Sequence, residues 1–321
     1  MSELLGVLGS IALLVVGAGL LTAGAEGFAE HVTGASARLG VSVLALGILL
    51  AGAEPEEAIT AMLASGQGHP ALAAGDAVGA NLVILTLTLG LAALVTRLPV
   101  GRRGLEYGVA AAVLGALSWL LMRNGVLGRA EGLLLVLVYA AGVVWVWRRE
   151  KQPPLIGELA ELEHLDEPPP DEAATGRALL LVLLGVLGMV VGGALAVRGA
   201  EGLVDVFHVG ESVIGLTVLA LATSAEMVAL VWAARRRGLT ELVVAGTVGA
   251  VAYNSTVSLG LAALVSPLGL GRHNLILDVA ALTAVLPLLL FTSYRTGILP
   301  APVGALLVVA YVAAVGFLLA G

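Results

Sequence analysis

The 321-residue chain has no cysteine, which excludes a disulfide framework, a thiolate metal site and thiol redox chemistry. It is also poor in charge: 12% of its residues are Asp, Glu, Lys or Arg. A soluble protein carries roughly 25% to cover its surface, so the outer surface of this one must face something other than water. No phosphate-cradling glycine loop, nucleophile elbow or zinc motif is present. Nothing therefore points to an enzyme, a bound cofactor or nucleic acid, and any work must draw on a gradient and not on nucleotide hydrolysis. The histidines, His31, His69, His164, His208 and His273, fall at the ends of apolar runs or in loops without metal-ligand spacing, and read as solvated residues.

What the chain has in quantity is hydrophobic residues, at 59%. Runs of about 20 apolar residues, enough to cross roughly 30 Å of hydrocarbon, recur near 3–30, 40–65, 70–95, 105–122 and 126–147. After a polar stretch they resume near 177–197, 209–235, 239–265, 275–293 and 299–320. The pattern predicts an all-α integral membrane protein of ten transmembrane helices. Five crossings in each half mean that the second half enters from the opposite side of the bilayer, giving two inverted five-helix repeats at 1–147 and 177–321. Residues 148–176 form an acidic, proline-rich linker. Within it, Glu158 to Asp166 has the composition of a short acidic helix, read as a tether because it lacks the EF-hand ligand pattern. The first run lacks a basic flank and is expected to stay as a helix, not to be cleaved as a signal.

The halves also match in sequence. Gly24-Ala25-Glu26-Gly27-Phe28 resembles Gly199-Ala200-Glu201-Gly202-Leu203, and Gly40-Val41-Ser42-Val43-Leu44 resembles Gly210-Glu211-Ser212-Val213-Ile214. Without a gap, Gly52-Ala53-Glu54-Pro55-Glu56 then falls on Ala222-Thr223-Ser224-Ala225-Glu226. Matching cassettes in opposite orientation are the mark of an inverted-repeat transporter with its site near the bilayer midplane. Assigning every Lys and Arg to alternate sides puts twelve of the sixteen on one side. Only Arg123, Arg129, Arg198 and Arg272 fall on the other. The basic side, which includes the linker, is expected in the cytoplasm of a multi-pass cell-membrane protein, with both termini outside.

Acids inside these runs carry the functional signal. An ionisable group in hydrocarbon costs roughly 2.5–3.5 kcal/mol and usually faces a pathway. The second run holds Glu54, Glu56 and Glu57 beside Pro55, and the seventh holds Glu226 after Thr223 and Ser224. Carboxylates and small hydroxyls suit a hard cation; calcium takes about six to eight oxygens. One acid from each half supplies the charge of a divalent ion. Pro55 frees backbone carbonyls as further ligands, whereas the seventh run has no proline, so any kink there rests on small residues. In the third and eighth runs, glycine-rich faces place Asn81 and Asn254 near the acids, as ligands or as packing residues. Asp76 reads equally well as a helix-start acid near the interface.

Val213-Ile214-Gly215-Leu216-Thr217 followed by Ala222-Thr223-Ser224 and an acid, together with Arg38 to Ser42, Glu54 to Glu57 and Gly75 to Asn81, resembles the two signature repeats of the calcium/cation antiporter superfamily. That superfamily includes sodium/calcium and calcium/proton exchangers. The resemblance is strongest over 24–90 and 199–260. It implies ten helices, ions held between helices 2, 3, 7 and 8, and helices 1 and 6 sliding to alternate access. The first repeat departs from the exchanger pattern Gly-Thr-Ser-x-Pro-Glu by lacking the Thr-Ser pair. The second, with Gly-x-x-x-Glu-like spacing and no proline, is closer to the calcium/proton branch. The residue matching Asn81 in the eighth helix is Val251, with Asn254 a turn further on. Glu56 and Glu226 are the acids favoured by pattern, with Glu54 and Glu57 competing. The expectation is export of Ca2+ against Na+, or else against H+. A channel or uniporter with an acidic filter, or a non-transporting scaffold, are the alternatives. No basic residue stands at matching depth to pair with the acids of a scaffold.

Overall fold

A computed structural model describes residues 2–39, 54–100, 102–150, 172–237, 240–291 and 295–320. The linker's proposed acidic helix and the N-terminal part of the second apolar run lie outside these residues. Among the described residues, seven helices are long and apolar enough to cross a membrane, and two shorter apolar helices accompany them. Leucines and a phenylalanine stand bare on the outer helices, Leu183 at 58% exposure and Phe317 at 74%. Faces of this kind, repeated around the molecule, belong against lipid tails. The protein is an all-α, multi-pass integral membrane protein.

Two helices are far longer than the bilayer is thick. Helix α1 (Ser2–Leu39) has 38 residues and α7 (Glu172–Phe207) has 36. At about 1.5 Å per residue each exceeds 50 Å, so they run obliquely or extend beyond the hydrocarbon. They lie against each other along glycines. A Cβ on Gly17 would stand 2.7 Å from the Gly192 carbonyl oxygen, and one on Gly192 2.7 Å from that of Gly17. Gly24 and Gly185 meet in the same reciprocal way. Only small residues allow backbones this close.

The inner helices are α2 (Pro55–Gly66), α3 (Pro70–Leu82) with its continuation α4 (Leu89–Val95), the broken α8 (Glu211–Ile214), α9 (Ala220–Thr223) and α10 (Ala225–Arg237), and α11 (Glu241–Tyr253) with α12 (Leu259–Val265). Helices α5 (Arg102–Leu121), α6 (Arg129–Glu150), α13 (His273–Phe291) and α14 (Ala301–Ala320) flank them. The α3–α4 span is 78% buried, against 22% for α14, which separates the inner layer from the outer. Three π-helical turns interrupt the inner helices, at Val83–Thr88, Gly215–Leu219 and Asn254–Ser258. Each contains a threonine whose hydroxyl donates to the carbonyl four residues earlier: Thr86 to Leu82, Thr217 to Val213 and Thr256 to Ala252. That side-chain bond competes with the backbone ladder and loosens it locally.

Contacts recur in exchanged pairs. Helices α4 and α12 have the identical sequence Leu-Gly-Leu-Ala-Ala-Leu-Val. Gly90 of α4 meets Gly304 of α14, while Gly260 of α12 meets Gly132 of α6. Four two-residue strands follow the same rule. β1 (Leu98–Pro99) pairs antiparallel with β4 (Ile298–Leu299), and β2 (Val126–Leu127) pairs with β3 (Leu268–Gly269). Each pairing joins one part of the chain to the other, as two like units packed about a two-fold axis would do.

Candidate functional site

The site grows from the start of α2. Glu54 precedes the helix and Pro55 opens it, so Glu56 and Glu57 fall in its first turn. At about 100° per residue the three acids cannot look the same way, and each meets a different neighbour. Glu54 accepts a hydrogen bond from Asn254 Nδ2 at 2.8 Å. Glu56 lies carboxyl to carboxyl with Glu226. Glu57 accepts from Ser224 Oγ at 2.9 Å. The competition among the three acids thus resolves into three separate positions, all buried.

Asn254, Ser255 and Ser258 lie in the π-helical turn Asn254–Ser258, Thr223 and Ser224 follow the turn Gly215–Leu219, and Asn81 precedes the turn Val83–Thr88. The helix from Glu211 stops at Thr223, and Ser224 bridges to α10 with φ −79° and ψ 12°, so the break without proline falls at the hydroxyl pair itself. Thr223 Oγ1 is 3.2 Å from Asp76 Oδ1. Asn81, at the end of α3, donates through Nδ2 to Ser255 Oγ at 2.9 Å. Asn254 uses both ends of its amide, because its Oδ1 accepts from Ser258 Oγ at 2.9 Å while its Nδ2 serves Glu54. It therefore holds Glu54 in place and has little left with which to ligate an ion.

Among the described residues, six buried carboxyl and amide oxygens have no hydrogen-bond partner, Glu54 Oε1, Glu56 Oε2, Glu57 Oε2, Asp76 Oδ2, Asn81 Oδ1 and Glu226 Oε2, and neither do the hydroxyls of Thr60 and Thr88. No Lys or Arg is among the buried described residues. Leaving such groups unsatisfied in an apolar interior costs about 1–3 kcal/mol each, and more for a charge. Among the described residues no three acids or histidines cluster tightly enough to grip an ion by themselves. The carboxylates are spread out, with amides and hydroxyls between them.

Asp76 differs from its reading as a possible interface acid: it is fully buried beside Thr223. Its signal in the sequence is its place between Gly75 and Gly79, on the face that packs closest. Ser255 and Ser258 were legible only as small residues of the eighth run. His69 also differs from a solvated end. Its two ring nitrogens lie 2.9 Å from Glu201 and 2.9 Å from Glu211, beside a cavity of about 120 Å³ that Asp205 also lines.

Replacing Asn254 by Leu is expected to lower thermal stability by about 1–3 kcal/mol, the cost of leaving Glu54 without its donor. Unfolding of the purified variant in detergent without calcium measures it. An unchanged midpoint would show that Glu54 does not depend on this amide.

The class of protein, a multi-pass helical membrane protein with buried acids in its inner layer, is that of the cation exchangers it matches. The chain belongs to the sodium/calcium exchanger protein family, whose profile matches residues 2–148 and 177–320. The inner membrane protein YrbG of Escherichia coli strain K12 is 28% identical over 80% of this chain and 80% of its own length. CaxA of Alkalimonas amylolytica, named as an antiporter, is 26% identical over 85% of this chain and 88% of its own. The structure of the sodium-calcium exchanger NCX_Mj, soaked with Na+ and Sr2+, superposes with a TM-score of 0.62 at 20% identity, covering 97% of this chain and 98% of that one. The kinship makes this protein an exchanger-like cation antiporter.

Proposed function

We propose that the protein exports Ca2+ from the cell in exchange for Na+, with H+ as the second reading of the counter-ion, by alternating access around the buried carboxylates. The observation that carries this reading is the meeting of Glu56, in the first turn of α2, with Glu226, just after the break at Ser224, with no Lys or Arg among the buried described residues. Two like charges at contact need a cation or a proton between them, and two carboxylates match a divalent ion. Glu54, Glu57, Asn81, Thr223 and Ser224 supply the surrounding oxygens, and Asn254 positions Glu54. Soaks of NCX_Mj with Na+ and Sr2+ are in keeping with an alkaline-earth cargo and a sodium counter-ion.

The exchanged glycine and strand pairs support ten helices in two inverted halves, 1–147 and 177–321, joined by a linker at 148–176. The linker is then cytoplasmic and both termini are outside. The glycine-on-glycine contact packs α1 tightly on α7, so that the two helices move as one unit against the inner ones. The experiment is calcium uptake into proteoliposomes under an imposed sodium gradient, repeated with a proton gradient. Uptake driven by sodium is expected. Uptake driven by protons alone would move the protein to the calcium/proton reading, and calcium moved by neither would refute calcium as the cargo.

A further inference from the structure

His69 stands in the turn between α2 and α3, where Pro70 opens the next helix. One of its ring nitrogens lies 2.9 Å from Glu201, near the end of α7, and the other 2.9 Å from Glu211, at the start of α8. The three side chains are 28% to 31% exposed, so the contact sits at the rim of the bundle and not among the central acids. The turn that joins α7 to α8 holds His208 at φ 53°, a left-handed conformation that residues other than glycine take rarely. From its other side α8 is held by Ser212, whose hydroxyl donates to the Leu270 carbonyl and accepts from the Arg272 N–H. The start of α8 and the α2–α3 turn therefore belong to the inner frame, and the imidazole ties α7 to that frame through Glu201.

The tie departs from the inverted symmetry of the sequence. In the register that sets Gly40 on Gly210 and Asn81 on Val251, His69 falls on Leu239 and Glu211 on Val41. Glu26, the counterpart of Glu201, lies instead within electrostatic reach of Glu226. A polar contact built at one end of the molecule can act on one mouth only. Helix α7 leaves the linker at Glu172, so the Glu201 end is the outer one in the orientation proposed above. One turn beyond Glu201, on the same face of α7, Asp205 lines the cavity beside His69. Four residues of helix span roughly 6 Å, close to the one-turn step by which packed elements move past each other in switching proteins. We propose that His69 is a two-position latch on α7: it holds Glu201 in the position the structure shows, and passes to Asp205 when α7 and α1 slide by one turn. His69 is then a positioning residue of the exchange cycle, setting where the sliding helices stop, and it touches no transported ion.

The latch presupposes the sliding of α7 in the antiporter reading, and calcium uptake by the wild type tests that reading apart from it. The chain has no cysteine, so spin labels can be placed on two introduced ones alone. Phe207→Cys, at the outer end of α7, and Val126→Cys, on β2, are both at exposed positions. Pulsed electron paramagnetic resonance of the full chain in lipid nanodiscs then reports where α7 stands. Two populations of label separation are expected. Glu201→Leu should shift their ratio about two- to fivefold away from the position of the structure, and Asp205→Leu by a like factor toward it, the range for a partly exposed ion pair. In a His69→Phe background neither change should have any further effect. A structural role would not give opposite shifts that both depend on one histidine. An unchanged ratio in Glu201→Leu, shifts of the same sign, or shifts that persist without His69 each overturn the latch, as does a single separation in every variant. Should a leucine variant fail to fold, Glu201→Gln and Asp205→Asn carry the same comparison. A wild type that moves no calcium under a sodium or a proton gradient refutes the antiporter reading, while the label separations still decide whether His69 holds α7.

Discussion

Glu226→Gln is expected to abolish calcium exchange while leaving the protein at least as stable as the wild type. Removing one partner of a buried charged contact costs about 2–5 kcal/mol of binding, which corresponds to a loss of roughly 30-fold to several thousand-fold in calcium affinity. Stability moves the other way because Glu226 Oε2 has no partner and Glu56 lies against it. Without an ion, the acid burdens the fold, and a neutral amide relieves it. Uptake into proteoliposomes and thermal unfolding with and without calcium measure both halves. The wild type should gain about 2.7 kcal/mol from calcium at 100 times its dissociation constant, and the variant less than about 1 kcal/mol at the same calcium concentration. Glu56→Gln should behave in the same way. Full transport in both variants would sink the assignment of the pair, and a variant that unfolds would show that the acids are structural.

Gly79→Val should have the largest effect on folding. A Cβ there would stand 2.6 Å from the Leu216 carbonyl oxygen and 2.7 Å from Ala220 Cβ. Neither can yield easily, since one is backbone and the other is fixed to it. Overpacking of this kind costs about 1–3 kcal/mol, occasionally more, and valine adds two methyls beyond the Cβ. The displacement also moves α3, which carries both Asp76 and Asn81. The expected outcome is a large drop in the unfolding midpoint together with loss of transport. Gly19→Ala is the control, because nothing lies within 4 Å of the position its Cβ would take; it should be neutral. Equal tolerance of both changes would mean that α3 and the π-helical turn are not in tight contact.

How legible the site was in the sequence can be judged residue by residue. Glu226 was visible because it interrupts an apolar run, and its counterpart Glu56 because the two cassettes align. Thr223 and Ser224 came with the same cassette. Asp76 was visible as an acid but not as a member of the site. An acid near the start of a helix has the same local signature whether the helix end lies at an interface or within a packed bundle. The contacts of His69 were hidden for a related reason: a residue at a helix end meets distant chain only in three dimensions, and Glu201 and Glu211 lie more than 130 residues away in sequence.

By itself the sequence determined that this chain lives in a membrane, crosses it many times and carries acids that hydrocarbon would not tolerate without purpose. Those properties are sums over composition and spacing, and need no knowledge of contacts. The tertiary structure decided which of Glu54, Glu56 and Glu57 meets which partner, and that Asn254 donates to Glu54. It also brought Asp76 beside Thr223. Those outcomes turn on angles of about 100° between neighbouring residues and on helices brought within a few ångströms by glycine, neither of which spacing along the chain can express.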